Sequence, residues 1–263
     1  MTRLQRVVVA GFVLLFAVFY FGFDTKPRER QGIDAARKKI AVKTDIQALL
    51  AEAREELEAD ELTLLGSVHQ VLNATEGDSL KIPMWKELSS AWYSYNRPDL
   101  AGHYAELIAG VLNTADAWSI AGTTYAIGGQ RLENQKHRIF ATEHAAAAFE
   151  NAISLDPDNV SHRTNLAVCY VDNPPKDNPM KGVQMLLNLD KKYPEAIGVQ
   201  NTLARFAIKT SQFDKAVTRL EKVLTLDANN KNATCLLAKA YEGLGNMSKA
   251  MNFNERCQAL INK

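Results

Sequence analysis

The chain has 263 residues, with 31 Lys+Arg against 30 Asp+Glu and 46% hydrophobic residues. The hydrophobic fraction is too high for wholesale disorder, and the balanced charge argues against a nucleic-acid partner. Cys169, Cys235 and Cys257 are three in number and far apart with no CxxC pair, which points to buried apolar thiols rather than a zinc site or disulfide framework; a single Cys235–Cys257 bridge stays open.

Residues 7–23 read VVVAGFVLLFAVFYFGF and carry no charge. Seventeen apolar residues lie at the short end of what spans a bilayer as a helix. Arg3 and Arg6 precede the run, but the following Tyr20-Phe21-Gly22-Phe23-Asp24 lacks a small-x-small cleavage pattern, so an uncleaved signal anchor is expected. The membrane is thus an expected partner through residues 7–23, behind a short tail of residues 1–6. The flanking charges disagree about direction. The short Arg-bearing tail favours export of the rest, whereas Lys26, Arg28, Arg30, Arg37, Lys38 and Lys39 count as cytoplasmic. Long domains translocate with little regard to charge. The expectation therefore leans to a single-pass inner-membrane protein with a periplasmic domain, with a cytoplasm-facing adaptor as the competing reading.

Residues 24–81 form a juxtamembrane segment with helical periodicity from about Ile33. Ile46, Leu49, Leu50, Ala53 and Leu57 recur at spacings of three and four, and the stripe resumes in a shifted phase after Asp60 and Glu61 with Leu62, Leu65, Val68 and Leu72. Either these helices cap the C-terminal part of the chain, or they self-associate near the membrane.

Beyond residue 81 the chain repeats itself. Residues 197–230 align with 231–263 at an offset of 34. Leu203-Ala204 maps onto Leu237-Ala238, Ala207 onto Tyr241, Ser211 onto Gly245, Ala216 onto Ala250 and Val223 onto Cys257. Residues 160–196 carry Leu166, Ala167, Tyr170 and Gly182 around a longer loop at 172–179. Residues 115–159 carry Trp118, Ala121, Gly122, Tyr125, Ala145 and Ala152 around an excess near 128–140 that should lengthen both helices. Residues 82–114, with Trp85, Leu88, Trp92 and Ala101, form the weakest unit.

On these residues the chain resembles the tetratricopeptide-repeat (TPR) family. The resemblance implies an all-α fold: a TPR solenoid of about five helix pairs whose concave groove is lined by the first helix of each pair. It also implies a protein or peptide partner, and it places Ser119, Thr123, Thr164, Asn165, Val168, Asn201, Arg205, Lys209, Cys235 and Lys239 on the groove. Of these, Asn165, Asn201, Arg205, Lys209 and Lys239 are the candidates for gripping a peptide. The chain ends on a second helix without the extra polar helix that often caps such arrays. That leaves Phe253, Leu260 and Ile261 as candidate contacts for a partner or a second copy, so a homo-oligomer is the competing structural role. No Gly-rich phosphate loop and no GxSxG occurs, and the five His lack metal spacing. No catalytic, cofactor or metal residue is expected, and the function read from the sequence is an anchored scaffold for protein interaction rather than an enzyme.

Overall fold

The computed structural model describes residues 46–262. The apolar run at 7–23, its basic flanks and the chain up to Asp45 lie outside the described residues. Among the described residues no helix is long and apolar enough to cross a membrane.

Twelve α-helices succeed one another among the described residues. Two come first: α1 (Ile46–Arg54) and α2 (Ala59–Ala74). Five pairs come after them: α3 (Asp78–Ser94) with α4 (Pro98–Leu112), α5 (Ala115–Arg131) with α6 (Gln135–Leu155), α7 (Val160–Asp172) with α8 (Lys181–Lys192), α9 (Ile197–Lys209) with α10 (Phe213–Leu226), and α11 (Lys231–Gly243) with α12 (Met247–Ile261). Each helix packs chiefly on its chain neighbours, and from α5 onward the first helices of successive pairs also meet, which makes the body an all-α solenoid.

The turns explain why the period is kept at the two ends and stretched in the middle. Asn96, Ser211 and Gly245 each take the left-handed conformation directly after a first helix, with φ of 59°, 59° and 73°. The next amide then reaches back across the turn: Arg97 N–H to Trp92 C=O at 2.9 Å, Gln212 to Ala207 at 2.8 Å, Asn246 to Tyr241 at 2.9 Å. This closure satisfies the helix's last carbonyls and reverses the chain within three residues. The two stretched pairs turn differently. Between α7 and α8 the Pro-rich loop is held by Asn178 N–H to Pro175 C=O and Lys181 N–H to Asn178 C=O, both at 3.1 Å.

Packing between the helices of a pair depends on small residues. Ala204 and Ala216 are fully buried where α9 crosses α10, as are Ala121 and Ala145 in the α5–α6 pair. At Gly182 the backbone of α8 comes so near α7 that a methyl group would stand 2.5 Å from the Ala167 carbonyl oxygen. Trp92, Tyr125, Phe149, Leu186, Leu220 and Leu237 fill the remaining space and are among the largest fully buried side chains.

The excess residues in the second pair lengthen both helices, as the spacing predicts: α5 has 17 residues and α6 has 21, against 13 and 14 for α9 and α10. The extension gives α1 its seat. Leu49, Leu50 and Ala53 of α1 are buried in one core with Trp92, Leu100, Tyr104 and Phe140. Glu52 reaches the first turn of α6, 3.2 Å from His137 Nε2 and 3.9 Å from Lys136 Nζ. The helical break comes earlier than the phase shift at Asp60–Glu61 suggests. It lies at residues 55–58, where the Glu61 carboxylate accepts the Glu58 backbone N–H at 2.9 Å and starts α2. Both α1 and α2 lie against the helix pairs, the arrangement expected of a capping segment.

Candidate functional site

Four first-helices, α5, α7, α9 and α11, present their outer faces to a shared hollow of about 580 Å³. Thr123, Ala126, Ile127 and Gln130 come from α5, Ser161, Thr164, Asn165 and Val168 from α7, Asn201, Thr202 and Arg205 from α9, and Asn232, Cys235, Leu236 and Lys239 from α11. The spacings of three and four within each set put those side chains on one helix face. The wall is thus built largely by repetition: four of the five pairs contribute the same face of their first helix, and Phe149 of α6 lines it as well.

The lining contains two cations and no carboxylate. Arg205 and Lys239 are exposed and pair with no acid among the described residues; the Arg205 guanidinium lies 5.3 Å from the Phe206 ring centroid. Asn165, half-buried on α7, hydrogen-bonds to no described residue. The amide of Asn201 is partly committed. Its Nδ2 donates to Asn230 Oδ1 at 3.2 Å, and that same oxygen caps α11 by accepting the Ala233 N–H at 2.9 Å. Asn201 Oδ1 is buried without a partner among the described residues. Gln130 Nε2 is occupied by Asp172 at 2.8 Å.

Of the sequence candidates, Asn165, Asn201, Arg205 and Lys239 thus sit together in the hollow, with Thr123, Thr164, Val168 and Cys235 beside them. Lys209 and Ser119 do not line it. Lys209 is the last residue of α9, one turn past Arg205, which carries it beyond the rim; its Nζ lies 6.0 Å from the Phe206 ring. The candidates at the last helix divide as well. Phe253 stacks on Tyr241 with centroids 5.6 Å apart and is half-buried, as is Leu260, whereas Ile261 is exposed along with Met247 and Met251.

One pairing departs from the expectation of inert thiols. Cys235 and Cys257 form a disulfide with Cα atoms 4.9 Å apart, joining α11 to α12. The distance suits a bridge; equivalent positions in the other pairs carry no second sulfur, so the repeat alignment gives no hint of it. Cys169 fits the expectation: it is buried on α7, where burial, with Asp172 nearby, pushes its thiol up to about 12.

Sequence reasoning also missed a recurring clasp between successive pairs. Tyr125 donates to Glu106 at 2.6 Å, Tyr170 to Glu150 at 2.9 Å and Tyr241 to Glu221 at 2.6 Å, each time from a first helix to the second helix before it. The signal was present as a Glu 19 or 20 residues ahead of each repeat aromatic. The α9 unit has Ala207 at that position and uses another device. Gln200 Nε2 donates to Asp190 Oδ1 at 2.6 Å, Arg219 Nη1 donates to Gln200 Oε1 at 2.8 Å, and Arg219 lies 2.9 Å from Asp190 Oδ2. His137 and His144 share α6 but each meets its own carboxylate, Glu52 and Glu106 respectively. Among the described residues no cluster of His, Cys, Asp and Glu has the makings of a metal site.

No protein-family profile matches the chain, and no curated protein matches it. Solved structures to which the chain is similar include a crystal structure of MamA, 15% identical, covering 69% of this chain and 92% of that one at a TM-score of 0.40. Another is YrrB, described as a TPR protein with an unusual peptide-binding site, 15% identical, covering 67% of this chain and 84% of that one at a TM-score of 0.38. Scores of this size correspond to no common overall shape, and the likeness carries nothing about what this chain binds. What the chain's own geometry establishes is an all-helical repeat solenoid with a hollow of mixed polar and apolar lining, bearing cations and no carboxylate, along its first helices.

Proposed function

We propose that the chain is a TPR-type scaffold that holds an extended, acidic peptide segment of a partner protein in the hollow of α5, α7, α9 and α11. The observation that carries this reading is the lining itself: two unpaired cations, no carboxylate and a free amide at Asn165 across a trough of about 580 Å³. Amides and hydroxyls along a groove suit the main chain of an extended peptide, and Arg205 and Lys239 suit an acidic side chain or terminal carboxylate. The reading is of a binding module, not an enzyme.

The test uses fluorescent peptides with acidic, neutral and basic side chains, titrated against the full chain in detergent and followed by anisotropy. Acidic peptides bind, and Arg205→Glu with Lys239→Glu weakens them by about tenfold or more. Equal binding of acidic and basic peptides, or no loss in the double variant, sinks the assignment.

The membrane anchor at 7–23 and the outward orientation belong to the same proposal. The Cys235–Cys257 bond supports the orientation, because disulfides persist in oxidising compartments such as the periplasm and are rare in the cytosol. Cells quenched with a thiol-alkylating agent yield the pair oxidised if the repeats face outward. Recovery of both cysteines alkylated reverses the orientation.

A further inference from the structure

We propose that the Cys235–Cys257 disulfide, besides joining two helices, is a thiol-exchange site through which a cysteine-bearing acidic peptide seated in the hollow is captured covalently at Cys235. This rests on the groove reading above and adds a thiol to the chemistry of its occupant.

The two sulfurs are unequal. Cys235 lies on the wall of the hollow and is half-buried; Cys257 faces the interior at 6% exposure. A bond placed only to hold α11 against α12 needs neither end in a binding trough. The charges around Cys235 also draw an acidic peptide, and the thiolate it carries, towards that sulfur. Lys239 stands one helical turn along α11, Arg205 faces the same hollow from α9, and the lining holds no acid to oppose them. Reactive disulfides and thiols sit in such partly open, electropositive places, whereas inert ones are enclosed. Cys169 is the contrast within the same chain: enclosed on α7, with its thiol pushed up to about 12.

The exchange balances without an external oxidant. The peptide thiolate attacks Cys235 Sγ, a sulfur–sulfur bond forms between peptide and Cys235, and the Cys235–Cys257 bond breaks. Cys257 leaves with the electron pair and takes up the proton the peptide thiol gave to solvent. The return step is attack by Cys257 on the mixed disulfide, which expels the peptide and restores the bridge. Capture is therefore reversible, and the interior sulfur is the one that resolves it.

The experiment uses three synthetic peptides of one length: an acidic peptide with a single Cys, its Ser twin, and a twin with Lys for each acidic residue that keeps the Cys. Each is incubated with the oxidised full chain, quenched with acid and read by intact mass and peptide mapping. The acidic Cys peptide gives an adduct on Cys235, forming about tenfold or more faster than with the basic twin. Arg205→Glu with Lys239→Glu removes that preference. The chain carrying Cys257→Ser provides a second readout, since its Cys235 displaces 5-thio-2-nitrobenzoate from the correspondingly activated acidic peptide with the same charge preference. Adducts on Cys257, equal rates for the acidic and basic peptides, or no adduct overturn the exchange site. Binding of the Ser twin separates the two proposals: if it binds while no adduct forms, only the exchange fails; if it does not bind, the groove reading fails and takes the exchange with it.

Discussion

Reduction of the Cys235–Cys257 bond frees the last helix of the array, and the size of the effect can be worked from the structure. The two cysteines are 22 residues apart in sequence, and a cross-link closing a loop of that length restricts the unfolded chain by about 3.4 kcal/mol at 25 °C. That stabilisation is concentrated locally. Among its described residues α12 buries only Ala250 and Cys257, and neither completely, whereas α10 fully buries Ala216, Leu220 and Val223. No further helix among the described residues covers the outer side of α12, where Met247 and Met251 are exposed at 56% and 65%. In a repeat array each unit depends on its neighbours, so the loss appears as opening of the terminal pair rather than of the whole chain. Hydrogen exchange read by mass spectrometry on peptides of α12 is the direct assay. Adding dithiothreitol, or replacing Cys235 and Cys257 together by Ala, speeds exchange in α12 by up to about 300-fold, the equivalent of 3.4 kcal/mol. Peptides of α3 to α6 keep their protection, and Cys169→Ala leaves α12 unchanged. Unchanged exchange in α12 after reduction would show that packing alone holds the helix. Simultaneous loss along the whole array would show that the units are not independent, and either result refutes the reasoning.

Two further outcomes arise from the packing and the charges. Gly182→Ala destabilises the chain by about 1–3 kcal/mol, because its methyl group would meet the Ala167 carbonyl and the Val171 backbone nitrogen at 2.5 and 2.6 Å. Gly66→Ala, in the middle of α2 with open space around it, stabilises by about 0.5–1 kcal/mol; thermal melts of the two variants moving in the same direction would contradict this. Burial alone would raise the Asp190 carboxyl, but the hydrogen bonds from Arg219 and Gln200 and the positive charges of Arg219 and Lys222 together outweigh it and hold the group below the usual carboxylate range. A carboxyl depressed on folding contributes stability above its unfolded value near 4, and that contribution is lost as pH falls through the folded value. Denaturant melts from pH 6 down to about 3 therefore fall more steeply for the native chain than for Asp190→Asn; parallel curves would remove Asp190 as a contributor.

Much of the helical order was legible because it is local. A small residue at the helix crossings, an aromatic near the end of most first helices and, in three of the five pairs, a left-handed residue after the first helix recur at a period set by two helices and two short turns, and such a pattern survives in one dimension. Ala204 and Ala216, Tyr241, and Gly245 with its φ of 73° are of this kind. The face of the hollow was legible for the same reason, since spacings of three and four determine which side chains of α7, α9 and α11 share a direction. Reach was not legible: Lys209 has the right helical phase and still lies beyond the rim, because the end of α9 passes the edge of the trough.

What only the tertiary structure decided depends on which distant residues meet. The Cys235–Cys257 bond requires two helices to bring their Cα atoms within 4.9 Å, a matter of crossing geometry that no spacing encodes. The seat of α1 against the extended start of α6, with Glu52 at His137, joins segments some 85 residues apart. The Tyr–Glu clasps, and the Gln200–Arg219–Asp190 network that replaces one of them, are compatible with many helix arrangements until stacking selects one. By itself the sequence determined the unit and its inward and outward faces, because those are set by the helical period. The contacts between units, and so the chemistry of the hollow they enclose, were decided by how closely one pair settles on the next.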